Sequence, residues 1–404
     1  MGRIDTTPLR ARVGTHGSVG AAVGPGWLSG PRFDRHFIGT TAAIAILSGL
    51  IVAAEPRLFL PVLFLDLWLL GYHHVVSTYT RLCFDADSLR RRGWMIYALL
   101  PAVCVAVTIL GVAFGVGLLA TIYLYWQWFH YTRQSYGIAQ AYRRAAVADG
   151  AAVVENERRG ENERRGENER RGENERRGEN ERRGENERRG THERLDHLIF
   201  YLVPLWGILH RAHQAPETFL GLPVWHPPVP GIAVDIVAVC AVAGLSWWVA
   251  SRIALWRQGR LAVGHTCYVL SHFAVFYVGY VAIESIDAGW IALNIWHNAQ
   301  YIAFVWLQNN RSFGDKAGAS GRAGGRAGRQ FMSWLSRRQN LWAYLGVCLG
   351  ISTAFYAALH YSAAATGLGL TVLMVVYQTI NFHHYIVDAL IWRRPRKVKA
   401  AGSE

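Results

Sequence analysis

Residues 377–394 read YQTINFHHYIVDALIWRR, and the reading of this stretch decides the fold. Its length and apolar content suit a helix crossing most of a bilayer, yet Asn381, His383, His384 and Asp388 lie within the run. Ionisable groups in a spanning helix are costly, so they face a bundle interior or a water-filled cavity and mark a functional site. Tyr377, Asn381, His384 and Asp388 fall at i, i+4, i+7 and i+11, one stripe of a helix. Val375, Val376, Leu390 and Ile391 cover the other face. Segments ending in YHHVVSTYTR, WFHYTRQSYG and NIWHNAQYIA repeat the theme.

Outward from this segment, 51% of the 404 residues are hydrophobic, and apolar runs recur along the chain. The pattern predicts an all-α integral membrane protein, a polytopic bundle of about ten transmembrane helices. They cover approximately 36–54, 59–82, 94–113, 116–137, 196–213, 231–256, 264–283, 288–309, 340–361 and 366–392. Residues 1–35 are polar, Gly-rich and Arg-containing, without the pattern of a cleavable signal peptide. They are expected to form a flexible cytoplasmic tail, with the first span as insertion signal.

The excess positive charge of +14 lies in short connections that follow even-numbered segments: Arg90 to Arg92, Arg143 and Arg144, Arg257 and Arg260, Arg311 to Arg329, and Arg393 to Lys399. Lys and Arg mark cytoplasmic loops, so both termini are expected in the cytoplasm of a multi-pass inner-membrane protein. These bases are spread among loops and not interleaved with aromatics on a soluble face, which argues against nucleic acid as a partner. The organisation is then a tail at 1–35, helices 1–4 over 36–142, a cytoplasmic insert at 143–195, helices 5–8 over 196–309, a basic loop at 310–339, helices 9–10 over 340–393 and a basic tail at 394–404.

The insert holds six tandem ENERRG copies at 155–190, each with two Glu and two Arg, so it adds nothing to the net charge. The Glu-to-Arg spacing favours transient helix, but the lack of apolar residues denies it a core, and a solvated, dispensable insert is expected. Within the basic loop, the Gly-, Ala- and Arg-rich stretch Ser312 to Arg329 is expected to be flexible and to touch anionic lipid headgroups. Five cysteines at 83, 104, 240, 267 and 348 form no CxxC pair and read as small buried hydrophobes.

On this topology eight histidines share the cytoplasmic half: His73, His74, His130, His265, His272, His297, His383 and His384. One would read as a helix-to-helix hydrogen bond. Eight on one side point to metal, because neutral imidazole suits iron, zinc and copper. Asp66 and Asp388 are candidates to ligate or to orient ligands, and Arg81 and Arg133 to grip a carboxylate or phosphate headgroup. Tyr72, Tyr125, Trp126, Trp128, Trp296, Tyr301 and Tyr385 flank the cluster and are candidates to line an apolar channel, or form an interfacial belt.

The pairs His73-His74 and His383-His384, near the cytoplasmic face of a helical membrane protein, resemble the ends of histidine boxes in the membrane-bound fatty-acid desaturase superfamily of dinuclear-iron desaturases and hydroxylases. The resemblance implies iron that activates dioxygen against an unactivated C–H bond. The HxxxH and HxxHH boxes are absent, so it carries a chemical class and no residue roles. The resulting expectation is a histidine-rich, metal-dependent oxidoreductase acting on a lipophilic substrate near the cytoplasmic face. Iron, as a single ion or a dinuclear centre, is the expected metal, with copper or haem as alternatives. The partners are membrane lipids and an electron-donor protein. A proton, metal or solute transporter is the alternative, and a lipid-linked transferase with His384 as base and Asp388 as its orienter is another.

The charge pattern yields a direct test of topology. A reporter fused after Lys399 is expected to behave as cytoplasmic and one inserted after Pro223 as external; a cytoplasmic signal at Pro223 would break up the shared histidine layer.

Overall fold

A computed structural model describes residues 24–84, 86–164, 173–313, 327–366 and 370–391. Described residues are almost wholly helical, and each of the ten apolar stretches lies on helix. The elements are α1 (Pro31–Ala54), α2 (Pro56–Thr80), α3 (Ala86–Arg92), α4 (Met95–Phe114), α5 (Val116–Arg164), α6 (Glu173–Gln214), α7 (Gly231–Arg257), α8 (Val263–Tyr277), α9 (Ile286–Phe313), α10 (Ala327–Leu335), α11 (Arg338–Ser362) and α12 (Leu370–Ile391). One antiparallel hairpin, β1 (Thr218–Phe219) and β2 (Leu222–Pro223), sits between α6 and α7.

Among the described residues, five helices, α1, α2, α4, α7 and α11, are long and apolar enough to cross a membrane. The histidine-bearing helices α5, α8, α9 and α12 are absent from that set because polar side chains dilute them. Their polar residues are tolerated because other helices, not lipid, surround them. The clearest case is α9, buried along nearly its whole length from Ile286 to Asn309. It packs along α1, where Gly49 permits the approach: a Cβ there would stand 2.9 Å from the Ala292 Cβ. Outward-facing positions such as Leu60, Val105, Val112 and Val239 stay apolar and exposed, as a lipid-facing surface requires.

Helix ends inside the bundle are closed by side chains. Arg211 of α6 is 1% exposed and donates to the carbonyl oxygens of Gly279, Ile283 and Glu284, at the wide π turn Val278–Ala282 that ends α8. A second π turn, Leu67–Gly71, lies within α2 and controls the register of everything after it.

The structure corrects one expectation about the connections and adds to two others. The flexible tail does not extend to residue 35: residues 24–35 are docked, because Asp34 is fully buried and gathers the backbone N–H groups of Leu28, Ser29 and Gly30 and the Tyr142 hydroxyl. Gly24 N–H also bonds the Ala146 carbonyl, and Gly264 N–H the Pro25 carbonyl. Among its described residues the ENERRG array prolongs α5 to Arg164 and begins α6 at Glu173, the Glu-to-Arg spacing of four supporting helix on both sides. Within the basic loop, α10 packs Met332 and Leu335 into the core, since its apolar residues fall on one face. Residues 1–23, 165–172, 314–326 and the basic tail 394–404 lie outside the described residues.

Asp34→Ala should strip four donors of a charged acceptor and cost roughly 3 kcal/mol, lowering the melting temperature of detergent-purified protein. An unchanged melting curve would contradict the docked arrangement.

Candidate metal centre

His74 is placed by the π turn. With regular α-helical spacing, Asp66 and His73 would share a face, as their separation of seven predicts. The wide turn Leu67–Gly71 absorbs an extra residue and brings His74 onto that face instead. Both then meet α9: Asp66 Oδ2 accepts from Asn294 Nδ2, and one turn on, the His74 ring lies 5.1 Å from the His297 ring. From α5 comes His130, its ring 5.0 Å from His297, and from α12 comes His384, 5.1 Å from His130. Ligating nitrogens of His74, His130 and His384 all lie within 4.8 Å of one another. Four helices therefore bring imidazoles together, each at most 4% exposed.

Hydrogen-bond direction fixes what these rings present. A carboxylate only accepts, so Tyr301 Oη donates to Asp388 Oδ1 at 2.6 Å. The Tyr301 oxygen then accepts from Thr78 Oγ1 at 2.9 Å, and Thr78, its one proton used, accepts from His384 Nδ1 at 2.9 Å. His384 is thereby the Nδ1–H tautomer with a lone pair on Nε2. His74 Nδ1 donates to the Gly71 carbonyl at 3.1 Å, which leaves a lone pair on its Nε2 as well. These two nitrogens face each other at 2.9 Å.

Lone pairs facing each other in a dry interior repel, and a cation between them turns repulsion into attraction. Two nitrogens bound to one ion at about 2.05 Å lie about 2.9 Å apart at a right angle and about 3.3 Å apart at the tetrahedral angle. The observed separation fits such a shared ion. Nε2 of His130 and Nε2 of His297 are also buried without a partner. The donor set is thus three converging imidazoles with a fourth beside them.

The remaining candidates are elsewhere. His272 is saturated: Nε2 donates to the Phe200 carbonyl at 3.1 Å and Nδ1 accepts from Ser135 at 3.0 Å, with the ring stacked on Phe200 at 3.8 Å. His383 is saturated too, between the Met95 carbonyl at 2.7 Å and the Tyr79 hydroxyl at 2.9 Å. Its neighbour His384 points about 100° away around the same helix, which is why one of the pair joins the cluster and the other does not. His73 is buried with Nε2 unpartnered but does not join, and His265, buried at the start of α8, is likewise outside the converging set. Arg81 turns away, donating to Asn309 Oδ1 and Ser312 Oγ at 3.2 Å.

Asp66 is tied into a separate network. Tyr131 donates to Asn294 Oδ1, Gln127 Nε2 donates to the Tyr131 and Tyr123 hydroxyls, and Trp290 Nε1 donates to Gln127 Oε1 at 2.8 Å. The Tyr131 ring lies flat on His297 at 3.9 Å, so this network forms the floor under the fourth histidine. Thr78 and Tyr131 carried no weight in the sequence reading. For Thr78 the available signal was its place one turn after His74, on the face toward α9.

Two cavities flank the cluster. A largely apolar one of about 850 Å³ is walled by α2, α11, α12 and the hairpin, and its inner end is Tyr72, Tyr123 and Tyr377. The same three tyrosines border a narrow polar gap that touches His74, Asn294 and Asn381. A second cavity of about 490 Å³ has His130, Arg133, Gln134, Tyr301 and Asp388 among lining residues that also include Trp126, Phe129, Ile138 and Phe304.

A scan against protein-family models, a search of curated proteins and a search of solved structures each gave no match.

Metal titration separates the two groups of histidines. His74→Ala, His130→Ala and His384→Ala should lose bound metal, and Thr78→Val should weaken binding roughly 10- to 100-fold by releasing the His384 tautomer. His272→Ala and His383→Ala should keep the metal and lose only stability, about 1 kcal/mol per hydrogen bond.

Proposed function

We propose that the chain is an inner-membrane oxidoreductase that crosses the bilayer ten times with both termini in the cytoplasm. In this reading His74, His130, His297 and His384 hold a redox-active metal that oxidises a lipophilic substrate. The observation that carries the proposal is the pair of imidazole lone pairs facing at 2.9 Å with two further unpartnered nitrogens beside them. Imidazole donors suit iron and copper among redox metals, and iron agrees with the resemblance to the desaturase superfamily. Three converging nitrogens, of His74, His130 and His384, with His297 beside them, support a single ion better than a dinuclear centre, and Asp66, held by Asn294, is outside the converging set.

The metal supplies dioxygen activation when bound. The overall change for a hydroxylation is R–H + O₂ + 2 e⁻ + 2 H⁺ → R–OH + H₂O, so two electrons must come from a donor protein. The protein's own groups divide the remaining work. The Asp388–Tyr301–Thr78 chain orients His384, the Tyr131 network supports His297, and Arg133, Gln134 and Asp388, which share a cavity with His130, are the polar groups placed to pass protons to the site. The apolar cavity offers the substrate a route from lipid.

The alternatives are less well supported. A transporter for polar solutes needs a polar path on both sides of the histidines, and the large cavity has no charged side chain in its lining. For a transferase, Asp388 would have to orient His384 directly, whereas the hydrogen-bonded path between them runs through Tyr301 and Thr78.

Elemental analysis and optical spectroscopy of protein purified without chelator are the test. Stoichiometric iron or copper, lost in His384→Ala, together with reductant-dependent oxygen insertion into a membrane-lipid extract detected by mass spectrometry, is the expected result. Active, metal-free wild-type protein would overturn it.

A further inference from the structure

The apolar cavity restricts the class of substrate more sharply than lipophilicity alone. Its wall is built from Leu63, Leu67, Phe219, Leu222, Leu373 and Met374, and no Asp, Glu, Lys or Arg lines it. Burying an ionised headgroup against such a wall without a partner would cost several kcal/mol. Of the residues that line it, Phe64 and Trp68 of α2 and Tyr361 of α11 are exposed on the outer surface, where Trp68 Nε1 donates to Thr353 Oγ1 at 2.9 Å. The hairpin closes the far wall. Leu220 in its turn holds a φ of 53°, a conformation costly for a residue with a side chain, and its N–H is pinned by Asp287 Oδ1 at 2.8 Å. Gly221 follows at φ 73°, giving the tight primed turn that a two-residue hairpin requires. Strain is thus retained at a wall of this cavity.

The inner end is narrow. The Tyr72 ring stacks on Tyr356 at 3.4 Å, and the Tyr123 and Tyr377 hydroxyls lie 3.4 Å apart, the former also accepting from Gln127. Beyond this collar is the polar gap that touches His74. A bulky or branched group cannot pass between rings so closely packed, whereas a slim chain end can reach the hydroxyls.

We propose that the cavity binds an uncharged, single-chain lipophile that enters from the bilayer between α2 and α11 and lies with its chain end at the Tyr72–Tyr123–Tyr377 collar. The binding itself follows from the lining, and only what the bound molecule is for rests on the metal reading above. The collar sets which carbon lies nearest the histidines.

The experiment is photolabelling of the purified full chain in lipid nanodiscs. The probes are hexadecanol and palmitic acid, each with a diazirine at the chain end, and labelled residues are mapped by mass spectrometry. The alcohol is expected to label Tyr72, Tyr123, Tyr377 or Met374 in preference to lipid-facing Leu60 and Val105, and excess unlabelled hexadecanol should compete. The ionised acid should label the collar less. Ala357→Trp and Leu63→Trp, which fill the cavity away from the histidines, should lower collar labelling roughly tenfold or more. Metal content is measured on the same samples. Labelling spread evenly over lipid-facing helices, equal collar labelling by the ionised acid, or collar labelling that survives both tryptophan variants would overturn the proposal. Collar labelling in protein without metal would leave this proposal standing and sink the oxidoreductase instead.

Discussion

Two imidazole nitrogens stripped of their protons and held against each other are the constraint on which the centre of this protein depends. The arrangement is imposed from outside the pair. A carboxylate at Asp388 sets the direction of one hydrogen-bond chain and a backbone carbonyl at Gly71 sets the other, and neither acceptor can reverse. Helix packing then supplies the force that keeps the rings together. The buried length of α9, carrying Asn294, His297 and Tyr301 at intervals of three and four, is the spine along which α2, α5 and α12 are registered.

The π turn in α2 shows how a small irregularity reassigns chemistry. Without it His73 would stand under Asp66 and His74 would look elsewhere. With it, the Gly71 carbonyl is in reach of His74 Nδ1 and the ring is delivered to His297. Gly71 itself lies close to Asn298, its would-be Cβ 3.6 Å from Nδ2, so a larger residue there would press on the helix that carries the fourth histidine.

The all-helical fold and the positions of its helices were legible because apolar runs of spanning length are the strongest pattern a sequence can carry. The stripe Tyr377, Asn381, His384 and Asp388 was legible for the same reason: α12 has no irregular turn among its described residues. Residue type and membrane side selected eight histidines, and the fold brings four of them into one cluster. The difference is rotational. Adjacent histidines on a helix face different neighbours, and whether a ring is saturated, as His272 and His383 are by carbonyls of other helices, depends on contacts between segments far apart in the chain. The π turn was illegible because nothing in LWLLG distinguishes it from regular helix. The docked segment at Asp34 was missed because a polar, Gly-rich composition reads as solvated, while its four hydrogen-bond donors come from loop geometry and from Tyr142 on a distant helix.

Entry from the bilayer, as proposed for the apolar cavity, would also change what concentration means for this protein. A molecule that arrives through the side of the bundle is drawn from a two-dimensional solution, so occupancy follows its mole fraction among lipids and not its amount per volume of water. Dilution of the membrane with inert lipid would then act as a competitive inhibitor acts on a soluble enzyme. Chain length and leaflet composition become properties that set saturation, and two cells holding the same quantity of the molecule could differ in turnover solely through the area of membrane over which it is spread.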